Sequence, residues 1–225
     1  METFGEKVLA FYHSIRTDFP LPPGVEVLKP FSHPASAATA GTFYRRFYGD
    51  TGTRNFIIGI NPGRFGAGVT GIPFTDPVKL RLYCGISHDF PEKTELSADF
   101  IYSVILAYGG AEAFYRDFYF TSVSPLGFTR HGLNLNYYDD PAVMESIRDL
   151  QPLWMRQQLA FGANRNRCIC LGSGKNLKQL RLLNDREGFF DEIVVLDHPR
   201  FIMQYKRRFL SDYVSRYLEV LGSFA

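Results

Sequence analysis

Two polar side chains that could take part in chemistry stand directly after predicted strands. Asn61 follows the apolar run at residues 55–60, and His198 follows the run at residues 192–196. A neutral amide can orient a water molecule, and an imidazole ring can donate a hydrogen bond or take up a proton. Phe74 lies in a proline-stiffened loop that can hold its ring over the same space. Because open α/β sheets bind ligands at the carboxyl ends of their strands, we expect these residues, at neighbouring strand ends, to line a pocket for a planar polar ligand.

Four short apolar segments predict the strands that would carry these residues. They cover residues 55–60, 117–123, 167–171 and 192–196. Apolar residues at helical spacing predict helices at residues 3–15, 36–48, 97–108, 140–161, 175–184 and 203–221. Strands that alternate with helices pair in parallel through right-handed crossovers. We therefore predict a three-layer α/β/α sandwich with a central four-stranded parallel sheet, folded as a single domain over residues 1–225.

Two segments read as irregular. Residues 20–34 contain several prolines, which exclude a long helix or a central strand, so we expect a connector that packs on the surface. Residues 127–140 are rich in Gly, Asn and Tyr and are predicted to form a loop.

The composition narrows the class of protein. The chain has a formal net charge of only +2, so a surface for a nucleic acid would have to be local. Three cysteines are too few for a paired disulfide framework, and Cys168 and Cys170 alternate along a predicted strand, which points them to opposite faces and away from a shared metal. The amino terminus has no continuous apolar stretch of the signal-peptide type, and no long apolar run occurs elsewhere. These features predict a reduced, cytoplasmic protein without a membrane-spanning segment.

Two glycine-rich segments raise the alternative of a nucleotide cofactor. Residues 66–71 match GxGxxG, the dinucleotide-binding pattern, but five residues separate them from Ile60, and Pro73 and Pro77 follow where a long helix would have to run. Residues 172–175, GSGK, lack the spacer and the Ser/Thr of a P-loop and are read as a strand-to-helix turn whose N–H groups can contact phosphate. A dinucleotide-binding protein therefore stays open as a weaker hypothesis.

The segment at residues 59–74, GINPGRFGAGVTGIPF, resembles the first motif of the uracil-DNA glycosylase superfamily, specifically the single-strand-selective monofunctional branch. That motif joins a GMNPG-type segment to a TGxPF segment. Residues 197–200, DHPR, are similar to the second motif, which begins HP after the last strand. The two motifs extend the resemblance over most of the chain.

The resemblance implies roles for individual residues. Asn61 would position and polarise the attacking water, His198 would support the departing base, and Phe74 would stack on it. Gly63 would leave room near C5 of a pyrimidine. The other base-binding residues that we expect from this resemblance are Ile60, Phe65 and Ser122.

DNA contacts are expected on the loop from Pro199 onward, which corresponds to the segment that wedges into DNA. Between His198 and Arg216 the sequence has five basic residues and one acidic residue. Such a cluster favours phosphate contacts, although an ordinary solvated helix face has a similar composition. The residues that we assign to DNA binding are Arg64, Pro199, Arg200, Phe201, Lys206 and Arg207, with Phe201, Ile202 or Met203 as the apolar wedge.

The sequence departs from the family pattern at two places. Ser122 stands where this branch has an asparagine that reads the edge of the pyrimidine, and one rotatable hydroxyl reads less than an amide. Residues 198–205, HPRFIMQY, replace the HPSPRN of the branch. The three scattered cysteines also argue against the iron–sulfur branches, which need four.

We therefore expect a monofunctional DNA glycosylase that flips uracil out of DNA, prefers accessible or single-stranded substrate and acts as a monomer without metal or cofactor. Single-stranded substrate avoids most of the cost of unpairing a base. A reader of damaged or single-stranded DNA that has the same pocket but no catalysis is the alternative. Uracil, 5-hydroxymethyluracil, hypoxanthine and xanthine all remain open as the preferred base.

Overall fold

The computed structural model describes residues 1–224. Their strands, in chain order, are β1 (Val25–Leu28), β2 (Arg54–Gly59), β3 (Phe118–Ser122), β4 (Gly127–Arg130), β5 (Leu133–Leu135), β6 (Ala163–Leu171) and β7 (Glu192–Leu196). Their α-helices are α1 (Phe4–Ser14), α2 (Pro34–Phe47), α3 (Ala67–Thr70), α4 (Pro77–Cys84), α5 (Leu96–Tyr108), α6 (Ala111–Asp117), α7 (Pro141–Ile147), α8 (Leu150–Leu159), α9 (Lys175–Glu187), α10 (Pro199–Tyr205) and α11 (Leu210–Gly222). Short 3-10 turns occupy Pro30–Ser32 and Arg207–Phe209.

The central sheet has the predicted four parallel strands in the order β3-β2-β6-β7. The second strand, β2, is covered on both faces, as a central strand of the predicted sandwich must be. Phe56 packs with Phe4 of α1 and with Tyr119 on one face, while Ile57 on the other face lies with Phe120 among side chains of α5 and α11. Helices therefore flank both faces of the sheet, and the predicted α/β/α sandwich is confirmed.

A second sheet, which the sequence did not predict, forms from both segments that were read as irregular. β1 pairs antiparallel with β4, and β4 pairs antiparallel with β5. His131 and Gly132 connect β4 to β5 with φ of 49° and 73°, the pair of positive angles that a type I′ hairpin turn needs. The prediction of a loop at residues 127–140 was therefore wrong for residues 127–135, because His-Gly is not a usual hairpin signal and the strands are short, whereas residues 136–140 do form a loop.

Two predicted helices are interrupted. The helix expected at residues 140–161 is divided into α7 and α8, because Pro152 lacks the N–H that a continuous helix would need there. The last helix does not begin at Met203; α10 begins at Pro199, with His198 as its N-cap, and a 3-10 turn separates it from α11. No helix within residues 1–224 is long and apolar enough to cross a membrane.

Candidate active site

A cavity of about 290 Å³ opens at the carboxyl edge of the central sheet. It lies where the ends of β2 and β3 meet the loop after β7, the start of α5 and the β4–β5 hairpin. The residues that line it are Gly59, Ile60, Asn61, Pro62, Gly63, Ala67, Pro73, Phe74, Glu95, Ser97, Thr121, Ser122, Asn134, Asn136, His198 and Arg200. Asn61 and His198 thus share one cavity, although β2 and β7 are not neighbouring strands as expected, because β6 lies between them.

The Asn61 side chain is oriented by the β4–β5 hairpin. Its Oδ1 accepts a hydrogen bond from the backbone N–H of Tyr137 at 3.0 Å. Its Nδ2 donates to the carbonyl oxygens of Leu135 and Pro62, each at 3.3 Å. The amide is therefore held in one orientation, with the second lone pair of Oδ1 available to a water molecule.

The His198 ring is held at the N-cap of α10 in one tautomer. Its Nδ1 accepts a hydrogen bond from the backbone N–H of Arg200 at 3.2 Å, so the proton of the neutral ring lies on Nε2. Burial, assisted by the positive charge of Arg200, lowers the pKa of His198 to about 4. At neutral pH the ring is therefore uncharged and presents an Nε2–H donor.

Phe74 is held over the end of β2 by a tightly bonded loop. Its φ of 54° is unusual for an aromatic residue, and its ring centroid lies 5.1 Å from that of Phe120 and 6.2 Å from that of His198. A β-carbon on Gly59 would lie 3.2 Å from the ring, so the glycine makes room for it. Thr70 Oγ1 donates to the carbonyl of Thr75 at 2.7 Å and fixes the loop. The aromatic wall is thus in place before any ligand enters.

The hydroxyl of Ser122 at the end of β3 is committed to the protein. Its Oγ donates to the carbonyl oxygen of Ser124 at 2.6 Å, and the residue is buried. A hydroxyl has one proton to donate, so Ser122 can only accept hydrogen bonds from a ligand in the cavity.

Glu95 is a cavity residue that the sequence analysis missed. It precedes α5, and burial, together with the negative charge of Asp76, raises the pKa of Glu95 to about 7, although Arg200 opposes the shift. In an α/β unit the helix that follows a strand's loop begins near the carboxyl edge of the sheet. The position of Glu95, two residues before the predicted helix at residues 97–108, is therefore the sequence signal that indicates a carboxylate at the cavity.

The glycine-rich loop packs around this carboxyl group. β-carbons on Gly63 and Gly66 would collide with Glu95 Oε1 and Oε2, respectively. The helix that follows Gly66 is only the four residues of α3, which is too short for the helix of a dinucleotide-binding turn. Among the residues expected to bind the base, Phe65 is not brought to the cavity, because its ring lies between the Arg64 guanidinium at 4.3 Å and Lys93 Nζ at 5.0 Å.

Most of the predicted DNA-binding residues lie in α10 or directly after it. Arg200 lines the cavity and is exposed, whereas Pro199 is buried in the first turn of the helix. Phe201 is 40% exposed, but Ile202 and Met203 are buried, so Phe201 alone remains a candidate for the apolar wedge. Arg207 is exposed and Lys206 is half-buried. Arg64 lies on the glycine-rich loop instead, with its guanidinium on Phe65.

Comparisons with known proteins bear on this geometry. The family described as the uracil DNA glycosylase superfamily matches residues 46–222, a range that contains Asn61 and His198. The crystal structure of wild-type Pedobacter heparinus SMUG2 is similar to this chain at 42% sequence identity and a TM-score of 0.96. The match covers 99% of this chain and 98% of that one. A comparison with curated proteins finds no match.

Proposed function

This chain belongs to the uracil DNA glycosylase superfamily, and on that premise we propose that it hydrolyses the N-glycosidic bond of uracil in DNA as a monofunctional, base-flipping enzyme. The observation that carries the proposal is the convergence of an oriented amide, a neutral imidazole and a fixed aromatic ring on one cavity, from Asn61, His198 and Phe74. Each of these groups meets one requirement of the reaction.

The hardest requirement is the negative charge that accumulates on the departing base. When the sugar becomes oxocarbenium-like, a weak nucleophile is enough, and stabilisation of the leaving group controls the rate. The Nε2–H of His198 can donate a hydrogen bond to that charge while the imidazole ring remains neutral. Removal of one such preorganised donor typically costs about 10²–10³ in rate.

Asn61 orients the water that attacks the sugar. Its amide is fixed by Tyr137 and Leu135, so it holds the water in place without the desolvation cost of a buried carboxylate. No lysine is among the residues that line the cavity within the described part of the chain. A water nucleophile and the absence of an amine there support glycosidic hydrolysis without strand cleavage.

Stacking compensates for the cost of flipping the base. Unpairing and unstacking a base in a duplex cost a few kcal/mol, and stacking on an aromatic ring returns about 1–3 kcal/mol. Phe74 offers that ring at the cavity wall. Because single-stranded DNA avoids most of the cost, we propose a preference for single-stranded or otherwise accessible uracil, with Arg200, Lys206 and Arg207 contacting phosphates and the enzyme acting as a monomer.

Excision of uracil from a labelled oligonucleotide tests the proposal. We expect Asn61→Ala and His198→Ala each to lose about 10²–10³ in single-turnover rate while DNA binding persists. Asn166→Ala and His13→Ala replace exposed residues of the same types away from the cavity and should retain the activity of the unmodified protein. Full activity in both cavity variants would refute the assigned roles.

Two further readouts separate the alternatives. Borohydride should trap no covalent adduct with DNA, because a monofunctional enzyme forms no imine. DNA binding without release of free base by the unmodified protein would instead indicate a non-catalytic reader of damaged or single-stranded DNA.

A further inference from the structure

The carboxyl group of Glu95 belongs to a half-buried residue of the cavity wall and has no hydrogen-bonding partner among the described residues. Its backbone N–H donates to Asp76 Oδ2 at 2.9 Å, but within residues 1–224 its side chain forms no hydrogen bond or ion pair. Gly63 and Gly66 enclose it so closely that a β-carbon on either would collide with a carboxyl oxygen. Because the carboxyl group lines the cavity, its unused hydrogen-bonding capacity is available to the contents of the cavity.

Burial and the negative charge of Asp76 favour the neutral form of Glu95. Asp76, at the start of α4, is fully buried and ion-paired with Lys79, which also bonds Asp99 of α5. Arg200 of α10 is the cation that acts on Glu95 from across the cavity, and Arg64 of the glycine-rich loop is turned onto Phe65. Burial and Asp76 outweigh Arg200 and hold the pKa of Glu95 at about 7. Below neutral pH the side chain is therefore mainly a carboxylic acid.

A carboxylic acid complements the edge by which an oxo-base is recognised. Uracil and related bases carry a lactam, in which a carbonyl acceptor lies beside an N–H donor. Ser122 cannot donate to that carbonyl, because its proton is bonded to Ser124. A neutral carboxyl has one O–H donor and one carbonyl acceptor, the same pair that an asparagine amide offers.

We propose that Glu95, as a neutral carboxylic acid, hydrogen-bonds the lactam edge of the flipped base and thereby selects bases that carry one. The proposal rests on the glycosylase function proposed above and adds a specificity-determining residue to it. The ionised form is unsuited to this role for two reasons: it has no proton to donate to the base carbonyl, and its charge would repel the negative charge that develops on the leaving base.

The pH dependence of kcat/KM distinguishes this role from that of a general base. A lactam-binding acid acts in its protonated form, so kcat/KM for uracil should fall about tenfold between pH 6 and pH 8. A general base acts in its ionised form, and its kcat/KM would rise over the same range. A rise, or a flat profile, would overturn the proposal.

Two substitutions sharpen the measurement. Glu95→Ala should lower kcat/KM for uracil at pH 6 by about tenfold to a hundredfold, because a lactam buried without its partner is penalised. Glu95→Gln restores a neutral donor and acceptor, so it should recover most of that loss and remove the fall between pH 6 and pH 8. Glu92→Gln, at an exposed residue that pairs with Arg81, is the control and should keep the fall.

A substrate change provides a readout that does not depend on the folding of a variant. Methylation of uracil at N3 removes the lactam N–H, so it should lower kcat/KM strongly for the unmodified protein and Glu95→Gln, but only weakly for Glu95→Ala. Equal effects in all three would overturn the role of Glu95. Glu95→Gln as inactive as Glu95→Ala would also overturn it, whereas failure of the unmodified protein to release uracil would reject the proposed function itself.

Discussion

The protonation of His198 can be tested by its effect on stability. In the folded protein burial lowers the pKa of this ring from 6.5 to about 4. The unfolded chain therefore takes up a proton below about pH 6.5 that the folded chain takes up only near pH 4. Stability contributed by the neutral ring is present above pH 6.5 and is lost as the pH falls toward 4.

The size of this effect follows from the shift. One pKa unit corresponds to about 1.36 kcal/mol, so between pH 7 and pH 4.5 His198 should remove about 2–3 kcal/mol from the free energy of unfolding. His198→Gln cannot take up the proton, and its stability should fall by that much less over the same range. Urea unfolding of both proteins at the two pH values measures the difference.

Titration of Glu95 changes the free energy of unfolding in the opposite direction, so the experiment needs a control for it. Its pKa is raised from 4.5 to about 7, so the folded protein holds a proton that the unfolded chain releases, and acidification from pH 7 to pH 4.5 stabilises the fold. The comparison is therefore best made in a Glu95→Gln background, where only His198 titrates in the cavity. Equal pH dependence with and without His198, or an NMR titration of its ring near pH 6.5, would refute the assigned neutral state.

The remaining predictions concern three other positions. Gly59→Ala should lower kcat/KM for uracil about tenfold, because its β-carbon would lie 3.2 Å from the Phe74 ring and displace the ring. An unchanged kcat/KM would contradict this prediction. Arg200→Gln should move the alkaline fall of kcat/KM to higher pH, because Arg200 lowers the pKa of Glu95. The same substitution should reduce the slope of the logarithm of the DNA-binding constant against the logarithm of the salt concentration by about one, because one phosphate contact is lost. Arg54→Met should cost about 1–3 kcal/mol in thermal or urea unfolding without changing excision, because buried Arg54 donates to the Tyr115 carbonyl at 2.9 Å; an unchanged free energy of unfolding would contradict it.

The central sheet could be predicted because its strands have strong local signals. β2 is a run of apolar and β-branched residues that Asn61 and Pro62 end, and this pattern alone located the edge at which the cavity opens. The β4–β5 hairpin has no comparable signal. Its strands are four and three residues long, and its turn places His131 at a positive φ that the sequence does not announce. Long-range pairing with β1, rather than local preference, stabilises it.

The same distinction separates the parts of the site. Asn61 and His198 could be found because each follows a strand, but the backbone groups that orient Asn61 belong to Leu135 and Tyr137, at the end of the hairpin that was missed. Glu95 resembles an ordinary solvated carboxylate in a polar stretch of sequence. Packing against two glycines that lie about thirty residues earlier in the chain covers part of its carboxyl group, and this contact has no local signal in the sequence.

The neutral states of Glu95 and His198 have one physical cause, and together they suit the cavity to a leaving anion. Burial disfavours charge on either group, so it raises the pKa of the acid and lowers that of the base. Between about pH 4 and pH 7 both are uncharged hydrogen-bond donors, and Arg200 is the lining residue that keeps its formal charge. A base that departs with negative charge would then meet two donors and a cation, and no carboxylate. Above pH 7 Glu95 gains a charge that opposes the same step, so the environment that recognises the base would also set the alkaline limit of the reaction.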